Sequence, residues 1–211
     1  MGSFKLHWLY AACFSCGSAL AITHTSGNVA LETKSVSYGT VLTNLTGSNK
    51  CWITQNLGAD NQASSATDAT DAAAGLYGQF NRKQGYKVGP TPAWTITYID
   101  ETSNWVAAQD LCTIELGTGW RIPTKTKWEN ADANGGWNNY NDTYASVLKL
   151  HAAGYLLFSN GSLDYRGTDG FYWSSTQTSS VVGWHLAFGS SSIPMYINIK
   201  AYGFSVRCLI D

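Results

Sequence analysis

Charge is what this chain has least of. Lys, Arg, Asp and Glu make up 13% of its 211 residues, roughly half the share of an average soluble domain. The 13 basic and 14 acidic side chains leave a net charge of −1, so nothing here attracts nucleic acid or an anionic membrane surface. Beyond the opening segment no apolar run approaches the roughly 20 residues that a membrane-spanning helix needs, and direct membrane insertion is not expected. Paired CxxC motifs are missing as well. Cys13 and Cys16 form a lone CxxC without the second pair or histidines that a zinc site requires. The four histidines, His7, His24, His151 and His185, are scattered. None has metal-ligand spacing or stands in a known local motif with a nucleophile. His151 reads as a capping or core histidine. Asp60, Asp68 and Asp71 lack the spacing of a calcium loop with its distal Glu and read as solvated loop acids. No GxSxG, P-loop or dinucleotide fingerprint occurs, because the glycines sit in turns and not ahead of helices. No catalytic residue, cofactor or metal site is expected, and the chain reads as something other than an enzyme.

What is abundant is Gly, Ser, Thr, Asn and aromatic residues, including nine tryptophans. That composition suits a β-rich, loop-rich recognition module outside the cytosol. The length fits one domain, or one domain with an extension, and can bury a core. Five cysteines in a low-charge, exported chain point to disulfides. Cys112 with Cys208 and Cys16 with Cys51 are the expected pairs, leaving Cys13 over. The first residues, Met1-Gly2-Ser3, look like a cloning scar. The apolar segment after them would pass for a poor signal peptide, and residues 1–15 are read as a junction to an upstream part or as an N-terminal strand. Residues 16–211 form the expected domain.

Along the chain, residues 19–42 alternate β-branched and polar types between the turn signals Ser26-Gly27-Asn28 and Tyr38-Gly39, as strands do. Cys51, Trp52 and Ile53 read as a short buried strand. Residues 60–74 read as a surface loop with a helical turn near Ala72. An apolar run from Trp94 to Ile99 reads as a strand. A helix capped by Ser103 would carry Trp105, Val106, Ala108 and Cys112. A second helix, capped by Thr124 or Thr126 and ended by Gly135-Gly136, would bury Trp128 and Ala131. Thr126 and Glu129 have capping-box spacing. Arg121, Lys127 and Glu129 are assigned to capping and surface pairing. A short helix near 145–150, a strand over 153–158 and a hairpin turn at Asn160-Gly161 follow, with a return strand starting at Leu163, Tyr165 and Arg166.

The stretch from Gly170 to the end organises the rest. Trp184, Leu186 and Phe188 alternate with His185, Ala187 and Gly189, and Phe204, Val206 and Cys208 alternate with Ser205 and Arg207, as half-buried strands do. On this reading the first member of each set is core, and His185 lies on a free face. Lys200 is the only charged residue between Gly170 and Val206. Tyr, Ser and Asn dominate there, and they make an adaptable contact surface. An ordinary antiparallel sheet with a neutral solvent face would show the same residues.

The segments CWITQNLGA, LYGQFNRKQGY, GTGWRIPTKTKW, LKLHAAGY, FSNGSLDYRG, YWSSTQ, GWHLAF and GFSVRCLID occur in the order seen in the Fibrobacter succinogenes major paralogous domain. This bacterial surface-protein family is similar to the chain from Cys16 to Asp211. WRIPTKTKWENA also resembles the RLPTEAEWEYA motif of formylglycine-generating-enzyme-like domains. The resemblance implies an α+β, C-type lectin-like fold with two main helices, small antiparallel β-sheets and long loops.

The resemblance extends to the variable proteins of diversity-generating retroelements, in which error-prone copying at adenines rewrites the end of a gene. It implies a variable region of about 171–202. Randomised AAY codons cannot encode Trp, Met, Gln, Lys or Glu, so Gln177, Trp184, Met195 and Lys200 would be framework. Phe171, Ser179, Ser180, Val182, His185, Ala187, Ser191, Tyr196, Ile197, Ile199 and Tyr202 would be mutable and face a ligand.

The expected function is a non-catalytic ligand-binding module of adhesin or receptor type at the cell surface or outside the cell. Its partner would be a protein or glycan on another cell or surface, and upstream anchoring or pilus domains would carry it. Two alternatives differ in kind. One is a carbohydrate-binding lectin using exposed tryptophans such as Trp137 and Trp94. The other is a formylglycine-generating-type oxidase. The calcium motifs of sugar-binding C-type lectins are missing, and Cys208 stands alone where the oxidase has a cysteine pair.

Overall fold

The computed structural model describes residues 15–27 and 29–211. The segment expected over 1–15 falls outside the described residues except for its last residue, as do His7, Cys13 and Asn28 of the expected turn. From residue 19 the alternating stretch forms an antiparallel hairpin of β1 (Leu20–His24) and β2 (Lys34–Tyr38). β3 (Thr40–Thr43) and β4 (Lys50–Ile53) follow, and β4 carries the buried Cys51, Trp52 and Ile53. The small polar stretch after them stays irregular until α1 (Asp71–Ala74), a single turn capped by Thr70. Two short strands, β5 (Tyr77–Gly78) and β6 (Gly85–Tyr86), come next.

Residues 93–110 form neither strand nor helix, which overturns the strand expected over Trp94–Ile99. Side-chain hydrogen bonds hold the first part of this segment, and isolated backbone bonds from Glu101 and Trp105 to the Ser180 and Ser175 carbonyls hold the rest. Gln79 Nε2 donates to the Ile96 carbonyl at 2.6 Å, and Trp94 Nε1 donates to the Phe158 carbonyl at 2.8 Å. The helix expected from Ser103 starts later, because Ser103 Oγ accepts from Asn81 Nδ2 at 3.1 Å. Asp110 is the cap of α2 (Leu111–Leu116), accepting from the Cys112 and Thr113 amides, and Gly117 ends it after six residues. After β7 (Trp120–Arg121), Thr124 caps α3 (Lys125–Gly135), and Gly136 closes it in the left-handed conformation. Trp128 and Ala131 are buried on α3 as the spacing requires. Glu129 pairs with Lys125 and takes no part in a capping box. α4 (Tyr140–Ala145) ends where the short helix near 145–150 was expected to begin.

β8 (Tyr155–Leu156) and β9 (Leu163–Asp164) make the hairpin around Asn160-Gly161. The terminal region supplies β10 (Gly170–Gln177), β11 (Val182–Phe188), β12 (Met195–Ile199), β13 (Phe204–Ser205) and β14 (Leu209–Ile210). They assemble with earlier strands into a six-stranded sheet ordered β12-β11-β10-β13-β5-β6 and a four-stranded sheet ordered β3-β4-β14-β7. The architecture of the described residues is therefore mostly β, with four short helices, the longest of eleven residues. This corrects the expected α+β, C-type lectin-like arrangement of two main helices with small sheets. Asp110 and Gly117 leave α2 too short to act as a main helix, while strands of two residues extend the sheets across the chain.

β10 sits centrally and feeds a core on each face. Trp173 packs with Phe80, Trp105 and Phe204, whereas Tyr172 packs with Trp128, Leu186 and Phe188. Indole hydrogen bonds cross the sheet, from Trp173 Nε1 to the Gly78 carbonyl at 2.7 Å and from Trp128 Nε1 to the Trp173 carbonyl at 3.1 Å. Disulfides join Cys16 to Cys51 and Cys112 to Cys208, the two expected pairs. Arg207 is wholly buried and has no carboxylate partner among the described residues. Its guanidinium donates to the carbonyls of Ile53, Leu148 and Lys149 and to Asn56 Oδ1. Burial lowers its pKa, but an arginine starts so high that it stays charged.

Candidate functional site

The register of the central sheet decides which of the eleven expected contact residues share a face. Trp173 pairs with His185, which pairs with Tyr196, while Leu186 pairs with Tyr172 and Met195. Directly paired residues project to the same side. Phe171, His185, Ala187 and Tyr196 thus lie on one side of the sheet. Val182, Ile197 and Ile199 are in register with one another and with Trp184 on the opposite side, where α3 packs. The single face expected for these residues is therefore two faces.

His185 is not free. It is 2% exposed and lies among the rings of Phe171, Trp173 and Phe204, with a centroid distance of 4.7 Å to Phe204. Its Nδ1 has no hydrogen-bond partner among the described residues, and burial pushes its pKa down to about 3, so the imidazole is neutral. Ala187 is also buried, although its edge reaches the surface groove described below. Polar and apolar alternation misplaced both residues because this strand has a core on each side. His151 is a core histidine, with its pKa lowered to about 3 by burial and then by Arg207.

The remaining positions reach solvent to different degrees. Ser179 and Ser180 lie in the β10–β11 turn, where the Ser180 carbonyl accepts the Glu101 amide at 2.9 Å. Tyr202 is half-buried against Tyr155, Phe158 and Phe204. Sequence reasoning missed Tyr155 and Tyr165, which complete this aromatic cluster. Tyr155 stacks on Tyr165 at 5.7 Å and meets Phe171 edge-on at 4.9 Å. The hairpin signal at Asn160-Gly161 placed both rings on neighbouring strands, but only the pairing of the hairpin with the terminal sheet brings them to Phe171. Burial, aided by the nearby Asp164 carboxylate, raises the Tyr155 phenol to about 12, and burial raises that of Tyr202.

Next to this cluster, the β11–β12 connection forms the lip of a surface groove of about 230 Å³. Phe171 and Tyr196 wall it, Pro194 and Ala187 add apolar surface, and Ser190, Ser191, Ser192 and Asp169 supply polar groups. Of the expected contact residues, Phe171, Ala187, Ser191 and Tyr196 meet here. Asp169 was missed, because an acid outside the alternating strands carries no periodic signal. Its backbone is fixed at both ends, the amide donating to the Tyr165 carbonyl at 3.0 Å and the carbonyl accepting from Gly154 at 2.9 Å. Its carboxylate lies against Gly189, where a Cβ would come within 2.5 Å of Oδ1. A side chain at 189 would push the Asp169 carboxylate aside, so glycine there lets it lie against the backbone.

The four residues assigned to framework are held differently. Lys200 is fully buried, and its ammonium donates to the Glu101 carbonyl and to Gln177 Oε1, both at 2.7 Å, over the ring of Phe80. Met195 packs on the core beneath the sheet, and Trp184 receives the Lys125 ammonium at 4.6 Å from its ring.

The two tryptophans expected to be exposed for sugar binding are covered to different degrees. Trp137 is buried, and Trp94 is half-buried with its indole N–H engaged by Phe158. Cys208 is tied to Cys112. Asp60 pairs with Lys34 and Asp71 with Arg166. Burial opposes ionisation of Asp68, but hydrogen bonds from Ser64 and Thr70 outweigh it and hold the carboxyl below the usual range. Among the described residues no three His, Cys, Asp or Glu side chains gather to hold a metal ion, and no helix is long and apolar enough to cross a membrane.

A family model described as a domain of unknown function, DUF8237, matches residues 133–209. That span covers less than half of the chain and includes the whole groove. No curated protein and no solved structure matches the chain.

Proposed function

We propose that this protein is a non-catalytic ligand-binding module of adhesin or receptor type, displayed at a cell surface. Residues of about 171–202 carry the contact positions, and a retroelement diversifies them. The two disulfides are compatible with export to an oxidising compartment. One contrast carries the reading. Ser191 and Tyr196 reach into solvent at the groove and make no side-chain hydrogen bond among the described residues, whereas Lys200 and Gln177 lock the frame together. A surface that tolerates replacement on a frame that does not is what diversification by a copying mechanism needs. His185 leaves the set of contact positions, and Asp169, Tyr155 and Tyr165 join the recognition surface.

The test is genetic. The DNA beside the coding segment should contain a reverse transcriptase and a near-copy of the segment for residues 171–202, with adenines at the codons for Ser191 and Tyr196 and none at the codon for Trp184. Neighbouring DNA without both elements removes the retroelement from the proposal. Failure of any surface ligand to discriminate between variants replaced at Phe171, Ser191 and Tyr196 removes the recognition face itself.

A further inference from the structure

We infer that the groove beside Asp169 takes a positively charged group, the arginine or lysine side chain of a basic loop on a partner protein. This rests on the reading of the groove as a ligand site and names what fills it. Asp169 has no hydrogen bond or ion pair from its carboxylate among the described residues, unlike neighbouring Asp164, which accepts from the Tyr165 amide at 2.9 Å. Among the described residues no Lys, Arg or His lines the groove. An apolar occupant that covers Asp169 strips water from a carboxylate and returns nothing, which is strongly unfavourable, and a neutral donor returns a hydrogen bond but leaves the charge uncompensated. An acidic occupant adds repulsion. A cation restores the lost interaction.

The walls fit the same group. Phe171 and Tyr196 offer ring surface to the stem of a long side chain and ring faces to its charged head. Tyr196 is 58% exposed, so it is available to a partner. The serines of the lip can accept hydrogen bonds from the N–H groups of a guanidinium or ammonium. At about 230 Å³ the groove is smaller than the roughly 300–1,000 Å³ of a pocket for a drug-sized ligand. It has room for one side chain, and the adjoining cluster of Tyr155, Tyr165 and Tyr202 provides contact surface for the loop that presents it.

A phage-displayed library of random peptides panned on the intact protein tests this. Recovered peptides should be enriched in Arg and Lys, and binding should weaken as salt rises. Tyr196→Ser should weaken the recovered peptides by about tenfold, and Asp169→Asn by about threefold or more. Asp169→Lys should abolish their binding and select acidic peptides in a fresh panning. Asp100→Asn, which removes an exposed acid elsewhere, should change nothing, and circular dichroism melting of each variant shows that it folds. Neutral or acidic peptides that lose binding in Tyr196→Ser but keep it in Asp169→Asn would overturn the cationic ligand while leaving the groove as a recognition site. A library that yields no binder sensitive to Phe171, Ser191 or Tyr196 would overturn both.

Discussion

At the scale of single residues, the most informative side chains are polar ones with no solvent. His151 and His185 are neutral in the folded protein, held at about 3 by burial, while an exposed imidazole titrates near 6.5. Between these values the unfolded chain binds protons that the native state refuses. Stability is therefore complete above about pH 6.5 and is lost progressively as pH falls toward 3. At pH 4.5 each histidine is expected to have removed on the order of 3 kcal/mol. Urea denaturation of wild type and His185→Phe at pH 7 and pH 4.5 checks this, because the variant should lose markedly less stability across that interval. Equal losses in the two proteins would mean that His185 is accessible to protons when folded. Arg207 makes the opposite demand, since four acceptors converge on its guanidinium from segments distant in sequence. Arg207→Leu leaves those acceptors buried and unpaired and should lower unfolding free energy by about 3 kcal/mol or more.

At the scale of elements, the central sheet separates frame from surface. Leu186 on β11 is fully buried against the core of Trp128, whereas Ile197 on the paired strand is 49% exposed. Leu186→Ala should cost about 2–5 kcal/mol through the cavity it leaves. Ile197→Ser, Ser191→Tyr and Tyr196→Ser should each move stability by about half a kcal/mol or less. Thermal melts of this set sort frame from surface directly, and a large loss at Tyr196 would place it in the frame. α3 was legible in the sequence because its cap, its inward Trp128 and Ala131 and its terminal glycines are all local signals. α2 was not legible in its extent. Ser103 is as good a cap as Asp110 until Asn81, far away in sequence, takes its hydroxyl. Strands of two residues, such as β5 and β13, have no periodicity to read and exist only because each finds the other.

For the whole molecule, the disulfides close loops of unequal size. Cys112 and Cys208 are 96 residues apart, and Cys16 and Cys51 are 35 apart. Removing the longer cross-link by Cys112→Ala with Cys208→Ala should destabilise by about 5 kcal/mol, and the shorter by about 1 kcal/mol less, if the loss is chain entropy. Guanidinium denaturation of the two double variants reads the difference, and a larger loss at Cys16 and Cys51 would show that contacts outweigh loop closure. The longer bridge ties α2 to the segment between β13 and β14, so it joins the middle of the chain to its terminal sheet.

The sequence by itself determined what depends on neighbours along the chain or on composition. That includes the low charge, the hairpins, the position of α3 and the concentration of adaptable side chains between residues 171 and 202. Only the tertiary structure decided which of those side chains meet solvent. Period-two alternation reports two faces but not what covers each of them. Because β10 and β11 have a core on either side, His185 is sealed among rings, Val182, Ile197 and Ile199 turn to the far face, and the groove passes to Phe171, Tyr196 and an acid that no pattern had marked.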